Sequence, residues 1–256
     1  MIRALSLALA ALLAISLPVA LAQEKKASRP RVLIVTGADV DAHDWRSTTP
    51  VTRTILEGAG GFQVFVCEDP GILESASALS SYDVIVLNYR NPPDARLGEA
   101  ARKNLIAFVE GGKGLVGVHF VVNAWSDWEE FGRLIGRVWV GRRQGGEKVS
   151  GHGPRGTFKV RITDRESPIT KGIEDFEADD ELYAKLAGDT PIRVLATAHS
   201  ADYSKADEPM AWTLERGRGK VFVTVLGHDA KARENPAFGK LLVQGTKWAA
   251  GVEPAR

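Results

Sequence analysis

Past an apolar leader, the hydrophobic positions fall into short buried runs separated by amphipathic stretches. Residues 31–36 (RVLIVT), 62–66 (FQVFV), 82–87 (YDVIVL) and 114–118 (GLVGV) are apolar runs bounded by turn signals. Runs of that length predict strands covered on both faces. Between them, residues 48–58 predict a helix with Thr49-Pro50 at its start. Residues 73–79 predict a short or irregular helix. Residues 95–110 predict an amphipathic one with Leu97, Ala101, Leu105 and Phe108 on one face. Another helix, over residues 128–135, follows the fourth strand. The order βαβαβαβα predicts an α/β fold, a doubly wound and mostly parallel sheet with helices on both faces.

The pattern changes after residue 136. Residues 158–162 (FKVRI) alternate, as a half-solvated strand does. Residues 192–197 predict a further strand. Residues 209–214 (PMAWTL) and 220–225 (KVFVTV) flank a glycine-rich turn at 216–219, which predicts a hairpin. A closing helix over residues 238–250 ends before Gly251. The acidic run 176–183 (FEADDELY) suits a solvated face, although Glu181, two residues before Tyr183, can turn one side inward. There is no internal repeat. The expectation is one domain over residues 31–252 with a more antiparallel C-terminal region.

The leader sets the compartment. Arg3, the apolar run 4–21 and the small-x-small sequence Ala20-Leu21-Ala22 form a signal peptide over residues 1–22. Residues 23–30 (QEKKASRP) form a loose leader. Export to the periplasm or the extracellular space is expected, with no stable membrane insertion after cleavage. Loss of Arg3 leaves 32 basic residues against 32 acidic ones. That balance argues against nucleic acid as a partner. Cys67 is the single cysteine. An intrachain disulfide and a cysteine-based zinc site are therefore excluded, and its place in an apolar run makes it a strand core residue.

The chemistry lies at strand ends. His43 and Asp44 follow the first strand, Asn88 to Arg90 the third, His119 the fourth and His228 the last. In open α/β sheets this carboxyl edge binds ligands. Strands one and four are expected to be central neighbours, which would set His43 beside His119. Imidazole is the usual ligand of zinc-like metals and the usual acid or base near neutral pH. His43, His119 and His228 are therefore candidate ligands of a divalent metal such as zinc. Without metal, His119, His228 and Glu181 are candidate acid–base groups. Trp125 or Trp128 would wall the site, since an indole face matches the C–H face of a sugar.

Taken in order, RVLIVTG, GGKGLVGVHF, WEEFGRLIG, SPITKGI, DDELY, PMAWTLERGRGKVFVTVLGHD and FGKLLVQGTKWAAG resemble the trehalose-utilisation (ThuA-like) family. The resemblance covers about residues 31–252. It implies a class I glutamine amidotransferase-like (flavodoxin-like) three-layer sandwich and a role in carbohydrate metabolism. In that fold a nucleophilic cysteine follows the central strand, and here His119 stands in its place. His228 stands where the late catalytic histidine would be. The resemblance thus implies that glutaminase chemistry is lost. Relatives carry Arg-His-Asp in the first loop, where this chain has Ala42-His43-Asp44. They commonly carry His-Pro where it has His152-Gly153, a departure that puts a role for His152 in doubt. Two function classes follow. One is an enzyme acting on a disaccharide or keto-sugar through His119, His228 and Glu181, with His43, Asp44, Arg90, Trp125, Trp128 and Tyr183 binding substrate. The other is a non-catalytic carbohydrate-binding protein. Convergence of three or more polar groups around His119 would distinguish them.

Overall fold

The computed structural model describes residues 29–92, 95–141 and 149–252. The expected signal peptide and most of the expected leader lie outside the described residues. The strands are β1 (Arg31–Val35), β2 (Gln63–Cys67), β3 (Val84–Leu87), β4 (Gly114–Val118), β5 (Gly156–Ile162), β6 (Phe176–Asp180), β7 (Arg193–His199), β8 (Asp207–Arg216) and β9 (Gly219–Thr224). They form one nine-stranded sheet in the order β2-β1-β3-β4-β9-β8-β7-β5-β6. From β2 to β9 every pairing is parallel. From β9 to β6 every pairing is antiparallel. Among the described residues one hydrophobic cluster runs through both halves.

The helices are α1 (Trp45–Gly58), α2 (Ala76–Leu79), α3 (Glu99–Glu110), α4 (Glu129–Ile135), α5 (Ala230–Arg233) and α6 (Pro236–Ala249). They cover the sheet as the outer layers of an α/β sandwich. Every residue of β3 and β4 is buried, which explains their unbroken apolar runs. Gly114 is required where α6 crosses β4. A Cβ there would lie 2.5 Å from the Ala249 carbonyl oxygen.

Several boundaries differ from those expected. Helix α1 begins at Trp45, a turn before Thr49-Pro50, because the Asp44 side chain accepts from the Arg46 N–H and caps it. Pro50 sits inside that helix. Helix α3 begins at Glu99, because the Asn91 side chain holds the Pro92 and Ala95 carbonyls in a turn. The acidic run becomes an edge strand, with Ala178 and Asp180 buried. Cys67 ends edge strand β2 half-buried, its Sγ 3.3 Å from the Asp69 carbonyl oxygen. Strands β1 and β4 are not neighbours, since β3 lies between them. All parallel strands nevertheless end on one edge, and the loop after β1 spans β3 to reach β4.

A candidate histidine–carboxylate centre

His119 occupies the turn that leaves β4. Its φ of +45° is a left-handed conformation that costs a non-glycine residue about 1–3 kcal/mol and is retained only where the surroundings enforce it. The side chain is fully buried. Its Nδ1–H donates to the Val225 carbonyl oxygen at 2.6 Å. A carbonyl can only accept, so Nδ1 carries a proton, and Nε2 is the ring atom turned toward the centre. His119 Nε2 is buried with no hydrogen-bond partner.

His228 reaches the same point from the turn after β9. Its backbone N–H and that of Gly227 donate to the two carboxylate oxygens of Asp180, at 3.1 and 2.6 Å. Gly227 has φ +96°, and a Cβ there would lie 2.8 Å from the Phe238 ring. His43 follows β1 in a tight turn closed by its N–H on the Val40 carbonyl at 3.0 Å. Its ring lies directly against Phe120. His43 Nε2 is 3.1 Å from His228 Nδ1 and 3.5 Å from the Tyr183 hydroxyl.

Glu181 turns inward just past β6. One oxygen is 3.2 Å from His228 Nδ1 and 3.7 Å from His119 Nε2. The other is 3.8 Å from His152 Nε2. Burial pushes the Glu181 carboxyl up, but the imidazoles of His119 and His228 outweigh it and hold it well below the usual range. Burial and the adjacent His119 and His228 keep His43 neutral. Burial lowers His228 too, yet Glu181, Asp180 and Asp229 raise it overall. Burial and the Glu181 charge keep Tyr183 protonated.

His43, His119, Glu181 and His228 each offer one ligand atom, and these atoms lie within 4.8 Å of one another. Ligands on a tetrahedral zinc ion at about 2.0–2.1 Å stand about 3.3 Å apart, which the 3.1, 3.2 and 3.7 Å separations approach. His119 Nε2 faces the Glu181 carboxylate at 3.7 Å without a hydrogen bond. A cation or a shared proton between them would satisfy both. Three imidazoles and one carboxylate, with an orphaned ring nitrogen among them, therefore fit a divalent metal once His228 has shed its proton.

Other expected residues lie differently. Asp44 is exposed and serves α1 as its cap. Trp125 and Trp128 do not wall the centre. They pack with Phe131 and Tyr89 in an aromatic cluster, and Trp125 is 1% exposed, leaving no face for a sugar. Trp139 takes the wall position, edge-on to Tyr183 at 4.9 Å between centroids. His152 stacks on Tyr183 beside Glu181. Arg90 lines a small cavity with His43, Phe120 and His228.

Two residues behind the centre escaped the sequence reading. Asp180 is buried and pins the Gly227–His228 turn; strand alternation across FEADD carries that signal. Arg233 is also buried, donating to the Gly227 and Thr48 carbonyls, the Thr52 hydroxyl and the Asn88 amide oxygen. Burial pushes its guanidinium down to about 9, so it stays charged at neutral pH. Nothing in the local sequence marks it. A roomier 360 Å³ cleft beside Trp45, Arg46 and Arg53 contains none of the histidines. The convergence of ligand groups, rather than cleft size, locates the centre.

The family model described as trehalose utilisation matches residues 31–249. A putative ThuA-like protein from Parabacteroides merdae superposes with a TM-score of 0.76 at 28% identity, covering 87% of this chain and 90% of that one. A putative ThuA-like protein from Bacteroides uniformis superposes with a TM-score of 0.69 at 21% identity, covering 88% and 92%. No curated protein matches the sequence.

Proposed function

Since the chain belongs to the ThuA trehalose-utilisation family, we propose that it is an exported enzyme of carbohydrate metabolism with a metal-assisted centre at His43, His119, His228 and Glu181. The observation that carries this reading is the convergence of those four ligand atoms within 4.8 Å. The orphaned His119 Nε2 supports it further. Scattered histidines would have favoured a non-catalytic binding protein. Glutaminase activity is absent in this reading, because an imidazole at the β4 turn cannot form the thioester intermediate.

A divalent ion such as zinc, when bound, supplies Lewis-acid polarisation of a sugar carbonyl or of a water. The chain's own residues do the rest. Val225 orients the His119 ring, and Asp180 holds the His228 turn. Glu181, kept ionised, balances charge. Tyr183 keeps its proton and sits 3.5 Å from His43 Nε2, where its hydroxyl can donate to a developing oxyanion. Trp139 packs edge-on against Tyr183. The ligands are trehalose-like disaccharides or their keto derivatives.

The test is turnover of trehalose, sucrose and their 3-keto derivatives by the purified protein. This reading expects conversion of one of them, lost on chelation, restored by zinc and absent in His119→Ala. Conversion that is indifferent to chelator and to His119→Ala would contradict it.

A further inference from the structure

The pocket beside the ligand cluster carries more positive charge than the cluster accounts for. Arg90 follows β3, is half-buried, and lines the same small cavity as His43 and His228. Its guanidinium lies 5.9 Å from the Phe120 ring centroid. Among the described residues it has no carboxylate partner. Arg233 closes the cavity from behind; its hydrogen bonds go to neutral acceptors and Asp180 and Asp229 balance its charge, so Arg90 is the guanidinium left over. The nearby carboxylates are already engaged. Glu181 faces the imidazoles. Asp180 accepts the Gly227 and His228 N–H groups. Asp229 caps α5 and pairs with Arg155.

A guanidinium brings a full positive charge and a fixed fork of N–H donors. Half-buried Arg90 keeps part of its hydration and has donors free for an acidic ligand. A guanidinium fork matches a planar carboxylate through two parallel hydrogen bonds. The cavity, about 20 Å³, has room for little more than one water-sized group. Only the oxygen edge of an acidic group would enter it, and a planar carboxylate meets the guanidinium fork edge to edge.

We infer that this site takes an acidic sugar, an oxidised monosaccharide or glycoside whose carboxylate is held by Arg90 beside His43 and His228. The inference rests on the carbohydrate reading of the site and narrows its substrate class.

The test is calorimetric titration of the chelator-treated protein at low salt with glucuronate, glucose and a glucose phosphate. Wild type, Arg90→Lys and Arg90→Met are compared, and the zinc uptake of each is measured separately. Wild type should prefer glucuronate over glucose by about tenfold, the worth of one charge-assisted pair. Arg90→Met should lose that preference with zinc uptake unchanged, and Arg90→Lys should keep part of it. Equal affinity for glucuronate and glucose, tighter binding of the phosphate, or an undiminished preference in Arg90→Met would each overturn the inference. Binding is read without metal, so its failure leaves the metal reading standing, and absent zinc uptake leaves the carboxylate result standing.

Discussion

Replacing Asp180 with alanine should loosen the centre and the fold together. Asp180 is 2% exposed. Its carboxylate accepts from the N–H groups of Gly227 at 2.6 Å, Glu181 at 2.8 Å and His228 at 3.1 Å. It is also the leading counter-charge to buried Arg233. Hydrogen bonds to a charged group contribute about 1.5–3 kcal/mol each, and removing one partner of a buried charged set typically costs about 3–5 kcal/mol in total. We take that lower total, because bonds sharing one acceptor group do not add. A loss of this size is a large part of a typical stability of about 5–15 kcal/mol. At roughly 2–4 °C per kcal/mol for a chain of this length, Tm should fall by about 6–20 °C. Thermal and urea unfolding followed by circular dichroism would measure it, with Asp180→Asn falling between. His228 also loses its backbone anchor, so zinc affinity should drop by about tenfold or more. A Tm within about 2 °C of wild type, with zinc affinity intact, would refute the reasoning.

Gly227→Ala should destabilise by about 1–3 kcal/mol, because the +96° φ is strained for alanine and the new methyl meets Phe238. Urea midpoints would show it. Metal affinity should fall as pH falls. Glu181, Asp180 and Asp229 outweigh the effect of burial on His228 and raise its imidazole above the ordinary histidine range. That proton must leave before the ring can ligate, so zinc binding weakens as pH drops through that raised value. His43, held neutral, contributes little to the slope. Zinc titrations between pH 5.5 and 8 would read this out, and an affinity flat across that range would count against it. Intact-mass analysis of protein from the native cell should find a chain beginning at Gln23; a cytoplasmic chain retaining Met1 would end the export proposal.

The parallel half was legible because burial on both faces leaves unbroken apolar runs, and β3 and β4 are such runs. The hairpin of β8 and β9 was legible from its glycine-rich turn. Strand order was less so. Periodicity identifies strands but not neighbours, so the placement of β3 between β1 and β4 had no local signature. The histidines could be placed on one edge because each follows a parallel strand. The inward turn of Glu181 depends on an edge strand whose acidic residues look solvated in isolation. Trp125 and Trp128 misled because a tryptophan near a polar turn reads alike whether it packs inward or lines a cleft. Arg233 was silent, since its neutral acceptors come from α1, the loop after β3 and the turn after β9, and no short window contains them.

The central claim is that four side chains form one metal centre, and metal stoichiometry tests it most directly. Purified protein is stripped with chelator, reloaded and dialysed, and its metal content is measured alongside a calorimetric zinc titration. The account predicts one tightly held divalent ion per chain. Uptake should be lost in His119→Ala and in a His43→Ala/His228→Ala double variant, each still folded by circular dichroism. Stoichiometric uptake that survives in both variants, or no uptake by wild type at neutral pH, would contradict it.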